Sequence, residues 1–317
     1  MIRAMRATDA MALTLLGPRD RLQHVAAGTW PHNEPEGRRP TLWSLLRDAA
    51  LAPRTRRQLG VALSSDRPVG VVVLQARAGG LAWDVEHLGI DGPDTGVELL
   101  RWARERAARL QARKLFLHTP GKGSGSDIAR RAGFERYTEG VSYCLAKGFS
   151  TSQQDSLPAR PRLRSDEPAL FDLYMAAVPA NVRAAEALTH EEWAALYPGK
   201  KLWAPSVLGD QDYVWEIASR VVGWMRVVFG DRSQFIHLLT HPLYDGYADK
   251  MLQYALTETN PKAPVVVEAR EYQTALRGAL ERVGFEAGES YAAWVCQIAV
   301  RATQPGSAPV HVPAAPV

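Results

Sequence analysis

Cysteine is nearly missing from this chain, with only Cys144 and Cys296 among 317 residues. Two thiols cannot staple a disulfide scaffold, and without a CxxC pair they form no zinc ribbon, so no metal is expected and a reducing cytoplasm suits the composition. Uninterrupted apolar runs of about 18 residues are absent too, which excludes a membrane-spanning helix. The opening MIRAMRATDAMALTLLGPRD carries charges where an export signal needs its apolar core, so no exported form is expected. A Walker loop is also missing: TPGKGSGS at 119–126 has glycines and Lys122, but no Ser or Thr follows the Gly-Lys pair. That stretch reads as a loop.

Charge is plentiful but uneven. Residues 1–150 hold 23 Lys and Arg against 15 Asp and Glu, a net +8, while residues 151–317 hold 15 against 19, a net −4. A basic half beside an acidic half suits an anionic cofactor, a nucleic-acid surface or attraction between the halves. The densest cluster, Arg101, Arg104, Arg106, Arg109, Arg113 and Lys114, shares a helix with an apolar face and lacks interleaved aromatics, so it reads as a solvated face and nucleic acid is not an expected partner.

Repetition is the strongest signal. His87 and His237 stand 150 positions apart, Gly133-Phe-Glu and Gly284-Phe-Glu 151, Cys144 and Cys296 152, and Gly70 and Gly223 153. Four landmarks in one order at nearly one offset imply two homologous halves. The expected boundaries are a domain over 1–147, a polar linker over 148–161, a second domain over 162–301 and a Pro/Ala-rich, disordered tail over 302–317. Each half opens with an Arg-bearing strand and an Asp that can cap the next helix, Ile2–Asp9 and Pro161–Asp166. The patterning then gives helices, three antiparallel strands, a helix, a short buried strand (Leu115–His118, Val265–Glu268), a helix and a last strand. Polar stretches intervene at Gly28–Gly60, with a short helix around Leu42–Ala50, and at Asn181–Asp212, where Thr189 and Glu192 suit a capping box.

One junction draws the most attention. Phe235–Leu239 is a short apolar strand, Leu243–Ala248 a turn with two small residues, and Ala248, Met251, Leu252, Ala255 and Leu256 share one helix face. A strand that feeds a turn and a helix N-terminus aims backbone N–H groups at one point, which suits a phosphate.

In this junction and in its element order the chain resembles the GNAT acyl-CoA N-acyltransferases, whose diphosphate-binding pattern is Q/R-x-x-G-x-G/A. Gly246 and Ala248 take the small positions, and Leu243 stands where the family has Gln or Arg. The resemblance covers nearly the whole chain and implies an α/β fold of two tandem GNAT-like mixed-sheet domains, packed as a pseudo-dimer within a monomer. It implies acyl transfer from acetyl-CoA to a small-molecule or peptide amine, with no metal and no membrane. Cofactor contacts would come from Leu238, Leu239, Thr240, Tyr244, Asp245, Gly246, Tyr247 and Ala248. In the first half, Asp94 and Glu98 would repel a diphosphate beside Gly96, so that half reads as a degenerate copy.

For the base, the resemblance points to Glu86, with Asp84 on the same strand, or to a solvent-facing carboxylate pair. In the second half His237 is the counterpart, either a base or a packed histidine, with His241 beyond it. The family's acid tyrosine, four residues before Gly-Phe, is replaced by Ala129 and Leu280. Tyr272, placed on the last helix, or Tyr137 could substitute. Two further readings stay open: a catalytically inactive CoA-binding or interaction module, and a nucleic-acid or ribosomal partner for the basic half. Trp193, Tyr197, Trp203, Trp215 and Trp224 are either core or an acceptor pocket.

Overall fold

A computed structural model describes residues 1–6, 8–9, 23–25, 57–65, 67–77, 80–150, 157, 159–187, 189–196, 210–230 and 232–298. The expected helix at Leu42–Ala50, the tail at 302–317, Tyr197 and Trp203 lie outside these residues.

In the first half the described elements are β1 (Ile2–Ala4), β2 (Gln23–His24), β3 (Arg57–Ser64), β4 (Arg67–Ala76), β5 (Ala82–Ile90), α1 (Pro93–Arg109), β6 (Lys114–Pro120), α2 (Gly125–Arg131) and β7 (Glu135–Leu145). In the second they are β8 (Arg160–Pro161), α3 (Glu167–Ala177), α4 (Ala180–Glu186), α5 (His190–Leu196), β9 (Gln211–Ile217), β10 (Arg220–Phe229), β11 (Gln234–Thr240), α6 (Ala248–Thr257), β12 (Val265–Arg270), α7 (Thr274–Val283) and β13 (Glu286–Gln297).

Local chemistry explains why the halves look alike. Each begins with the same clamp: Arg3 grips Asp9 at 2.6 and 2.8 Å, and Arg160 grips Asp166 at 2.7 and 2.8 Å. The same carboxylates accept the N–H of Arg6 and of Leu163, each at 2.7 Å. Bonding to Arg160 and to Leu163 N–H outweighs burial and holds Asp166 below the usual carboxylate range. The repeated Gly-Phe is a helix stop. Gly133 (φ +86) and Gly284 (φ +98) take the left-handed conformation that glycine reaches at least cost, and Phe134 and Phe285 donate back to Ala129 and Leu280 at 3.0 and 2.9 Å.

Helix faces follow their apolar spacing. On α6, Ala248, Met251, Leu252, Ala255 and Leu256 are the buried set, as their spacing predicts. On α1, Val97, Leu99, Leu100, Ala103 and Ala107 are buried. Of its basic face, Arg106 is tied to Gln58 of β3 at 2.9 and 2.7 Å.

All described strands join one sheet in the order β1-β3-β4-β5-β6-β13-β7-β12-β11-β10-β9-β8, with β2 beside β5. The last strands are exchanged. β13 lies between β6 and β7, antiparallel to both, and β7 lies between β13 and β12. One core sits under α1 and α2 and another under α6 and α7. A third, on the opposite face, joins the halves: Phe116 and Tyr137 of the first pack with Leu173, Val214 and Trp224 of the second and with Ala293 and Val295 of β13. Trp193, Trp215 and Trp224 are buried core residues.

Gly140 marks the central crossing. Tyr291 faces it across the β13–β7 pair, and a Cβ there would overlap the tyrosine ring. Gly140→Ala should therefore destabilise the protein by about 1–3 kcal/mol, the usual cost of overpacking. Gly246→Ala, whose Cβ would meet open space, should change the urea midpoint little. Equal midpoints for the two variants would contradict this packing.

Candidate functional site

In each half a parallel pair of strands starts together and then parts. β5 and β6 pair only from Ala82–Lys114 to Asp84–Phe116, and β11 and β12 only from Gln234–Val265 to Ile236–Val267. Gln234 N–H bonds Pro264 O at 2.9 Å, so strand alternation turns the backbone groups of Leu238 and Thr240 toward the second groove.

The two grooves are filled differently. In the first, β5 already pairs with β4 along its other edge, so β2 must lie on the groove edge: His24 pairs with Gly89, Gln23 with Ile90, and Val25 N–H bonds Leu88 O at 2.9 Å. Val25 is 2% exposed, and a Cβ on Gly125 would touch both Val25 and Thr119 of β6. In the second, Gln273 donates its side-chain amide to Leu238 O at 3.0 Å and accepts Arg270 N–H at 3.0 Å.

Beyond the second groove, the turn is less bare than its spacing predicts. Pro242–Tyr247 forms a 3-10 turn. His241 Nδ1 takes Leu243 N–H at 3.2 Å, His241 O takes Tyr244 N–H at 2.8 Å, and Asp245 O takes Ala248 N–H, so three amides are already bonded. The Thr240 hydroxyl bonds Asp245 at 3.2 Å. Gly246 and Tyr247 are exposed, Leu243 is 80% exposed, and Gly246 faces open space. Gly96, its first-half counterpart, is packed against Ile128 and Ile90 and serves helix packing.

A cleft of about 320 Å³ opens beside this turn, lined by Asp166, Asp172, Glu216, Arg220 and His241 among others. Arg220 lies 3.1 Å from His241 Nε2. Burial, then the Arg220 charge, lowers the His241 pKa.

Several candidates land in unexpected company. Glu86 is the extra residue of a β-bulge, since Val73 pairs with His87 and Leu74 with Val85. It is held by Arg57 at 2.9 and 2.6 Å, and Asp84 by Arg77 at 2.6–3.0 Å. Both carboxylates are thus ion-paired. His237 is buried, opposite Arg226 on β10. His237 and His241 stand in an HxxxH spacing; on a helix that spacing gathers two ligands, but along a strand it separates them by roughly 13 Å. Among the described residues no three His, Cys, Asp or Glu side chains cluster as metal ligands. Tyr272 lies in the turn before α7, not on the helix. Burial raises its pKa.

Sequence reasoning passed over Glu268. Alternation turns Val265, Val267 and Ala269 toward α6 and α7 and leaves Val266, Glu268 and Arg270 on the opposite face. Glu268 and His237 are the first residues past the last β11–β12 rung. Burial raises the Glu268 pKa to about 7 against the pull of Arg270 and a hydrogen bond from Tyr291. Its counterpart on β6 is His118, 150 positions earlier. The His118 ring lies 5.4 Å from that of Tyr291, and burial, with Arg270, lowers its pKa to about 4. Tyr291 thus stands between equivalent positions of the two halves.

Around them is a buried ionic network. Arg270 meets Glu186 at 2.6 Å, Tyr137 donates to Glu186 at 3.1 Å, and Lys114 reaches Glu192 at 3.2 Å. Burial alone would raise the Glu186 pKa, but Arg270 and Arg77 outweigh it and keep the carboxylate charged. Chemically the site offers a near-neutral carboxyl, a tyrosine and a groove lined by backbone amides. These are the parts of an acyl transfer to an amine.

Solved structures with this architecture exist. A GCN5-related N-acetyltransferase from Sphaerobacter thermophilus matches at TM-score 0.54 and 13% identity, over 94% of this chain and 95% of that one. A candidate acetyltransferase from Pyrococcus horikoshii matches at TM-score 0.50 and 12% identity, over 95% and 90%. The chain has the GNAT fold, twice over. A tandem GNAT protein of the clavulanic acid biosynthesis pathway is 19% identical over 94% and 98%, at TM-score 0.48. No protein-family model and no curated protein matches the sequence. Among the described residues no helix is long and apolar enough to cross a membrane.

Glu268 and His118 act on stability with opposite sign. Glu268 binds its proton more tightly when folded, so its stabilising contribution is complete below pH 4.5 and is lost as pH rises to about 7. His118 binds its proton less tightly, so its contribution is complete above pH 6.5 and is lost as pH falls to about 4. Glu268→Gln should gain on the wild type by about 2–3 kcal/mol between pH 4.5 and 8. Urea titrations at those two pH values measure it; a constant gap would contradict the burial of this carboxyl.

Proposed function

We propose that the protein is an acyl-CoA-dependent N-acetyltransferase and that its second half carries the reaction. The observation behind this reading is the second groove: its strands part at Ile236–Val267, the Gln273 side chain bridges it, and it has a carboxyl that titrates near 7 at its head. Acetyl-CoA would lie along Leu238, Leu239 and Thr240, with its diphosphate at the turn formed by Tyr244, Asp245, Gly246, Tyr247 and Ala248. The open approach to Gly246 admits a phosphate where a side chain would stand.

In this reading Glu268 takes a proton from the ammonium of the acceptor. The freed amine attacks the thioester carbonyl, the C–N bond forms as the C–S bond breaks, and the thiolate leaves with a proton. A carboxyl that titrates near 7 is matched to that task. Glu86, already paired with Arg57, does not take the role, and His237 flanks it across the groove. Tyr272 precedes the groove residue Gln273 and stays protonated at neutral pH, so it is the proposed donor to the thiolate. The acceptor is an amine, small or peptidic, and no metal takes part.

A second reading is a CoA-binding module without catalysis. It draws on Ala129 and Leu280, both fully buried apolar residues where the family keeps its acid tyrosine.

Acetyl-CoA at a hundredfold excess over its Kd should stabilise the protein by about 2.7 kcal/mol, a rise of several degrees in Tm. Gly246→Asp should remove that rise, and an unmoved Tm in the wild type would overturn the assignment of the groove. With an amine acceptor found by a free-thiol release screen, Glu268→Gln should lower kcat by about 100-fold or more while leaving acetyl-CoA affinity near wild type. Binding without thiol release from any amine would favour the second reading.

A further inference from the structure

Leu88 and Leu238 occupy equivalent places in the two halves, 150 positions apart. Each is on the strand that turns away from its parallel neighbour, and each carbonyl is already satisfied by an amide of this same chain. In the first half the donor is Val25 N–H at 2.9 Å, a backbone group carried in with the β2 pairing and locked by a buried side chain. In the second half the donor is the Gln273 side chain at 3.0 Å, whose oxygen simultaneously takes Arg270 N–H.

We propose that Gln273 is a gate that imitates a ligand amide: it bridges β11 and β12 when the groove is empty and swings out when the pantetheine of an acyl-CoA arrives. This rests on the acyl-CoA reading of the groove and adds how that groove is opened. The Gln273 amide offers N–H donors and one C=O, the kinds of group that a pantetheine amide presents to a strand, so the two compete for Leu238 O. Release is local. Gln273 is half-buried and sits ahead of the first turn of α7 without a side-chain cap to that helix, so rotation of its side chain frees the groove with the helix in place. The first-half groove has no such exit, because emptying it means unpairing β2 and exposing Val25. One half is closed by a strand and the other by one side chain.

Calorimetry with acetyl-CoA on the full chain, together with amide exchange at Arg270, tests the gate. Gln273→Ala should bind acetyl-CoA about fivefold more tightly, since one competing hydrogen bond is gone. The Arg270 amide should be protected in the free wild type, exchange fast in free Gln273→Ala, and lose protection in the wild type when acetyl-CoA is added. Equal or weaker binding by the variant, or an Arg270 amide equally protected with and without ligand, overturns the gate while leaving the groove a CoA site. Binding by neither protein overturns the acyl-CoA reading and the gate with it; a bridge that still protects Arg270 would then be a structural tie. Binding by the variant alone would be the strongest support for the gate.

Discussion

Because β7 and β13 lie side by side in the middle of the sheet, neither half can complete its own hydrogen-bond ladder. β6 has β13 as its antiparallel partner and β12 has β7, so each half lends the other the strand that its sheet would otherwise lack. This exchange determines where the polar groups go. It brings Tyr291 beside His118 and Glu268, and it sets Tyr137 within reach of Glu186. A buried charge is tolerated only with partners, and here those partners come from both halves. The ionic network and the third hydrophobic core therefore occupy the same seam.

The halves have diverged in how they treat one inherited opening. A parted strand pair leaves backbone groups without a ladder neighbour, and buried groups of that kind demand a partner. The first half answers with β2 and Val25, at the cost of an occupied groove. The second answers with Gln273, a group that can leave. The pairs Arg57–Glu86, Arg77–Asp84 and Arg131–Asp94 stay within the first half and leave its basic excess as it is, whereas Lys114 reaches across to Glu192 of the second.

Much of this fold was legible in the sequence because its signals are local. A helix that ends in Gly-Phe writes the same cap twice, and the apolar spacing of α1 and α6 marks their buried faces; the repeated Asp reads as a helix cap, whereas Asp166 makes no side-chain cap bond to α3 and clamps Arg160 instead. Strand exchange leaves no such trace, since β7 and β13 have the same alternation whichever half they join. Around the candidate groove, the strand before Gly246, the turn and the following helix were legible as elements. Glu268 was not, because a single glutamate after three valines reads equally as a strand end; only its alignment with His118 at the repeat offset hinted at more. Val25 and Gln273 were invisible for a different reason: a residue that satisfies a distant carbonyl shows no periodicity of its own.

The exchanged strands also bear on how the chain comes to be made. β6 lies well over a hundred residues before β13, its antiparallel neighbour, so the edge of the first half stays uncovered until β13 has been made. Contacts so far apart along the chain slow folding and lengthen the interval in which an open strand can recruit the wrong neighbour. For this molecule, then, the sheet cannot close until both halves have been made.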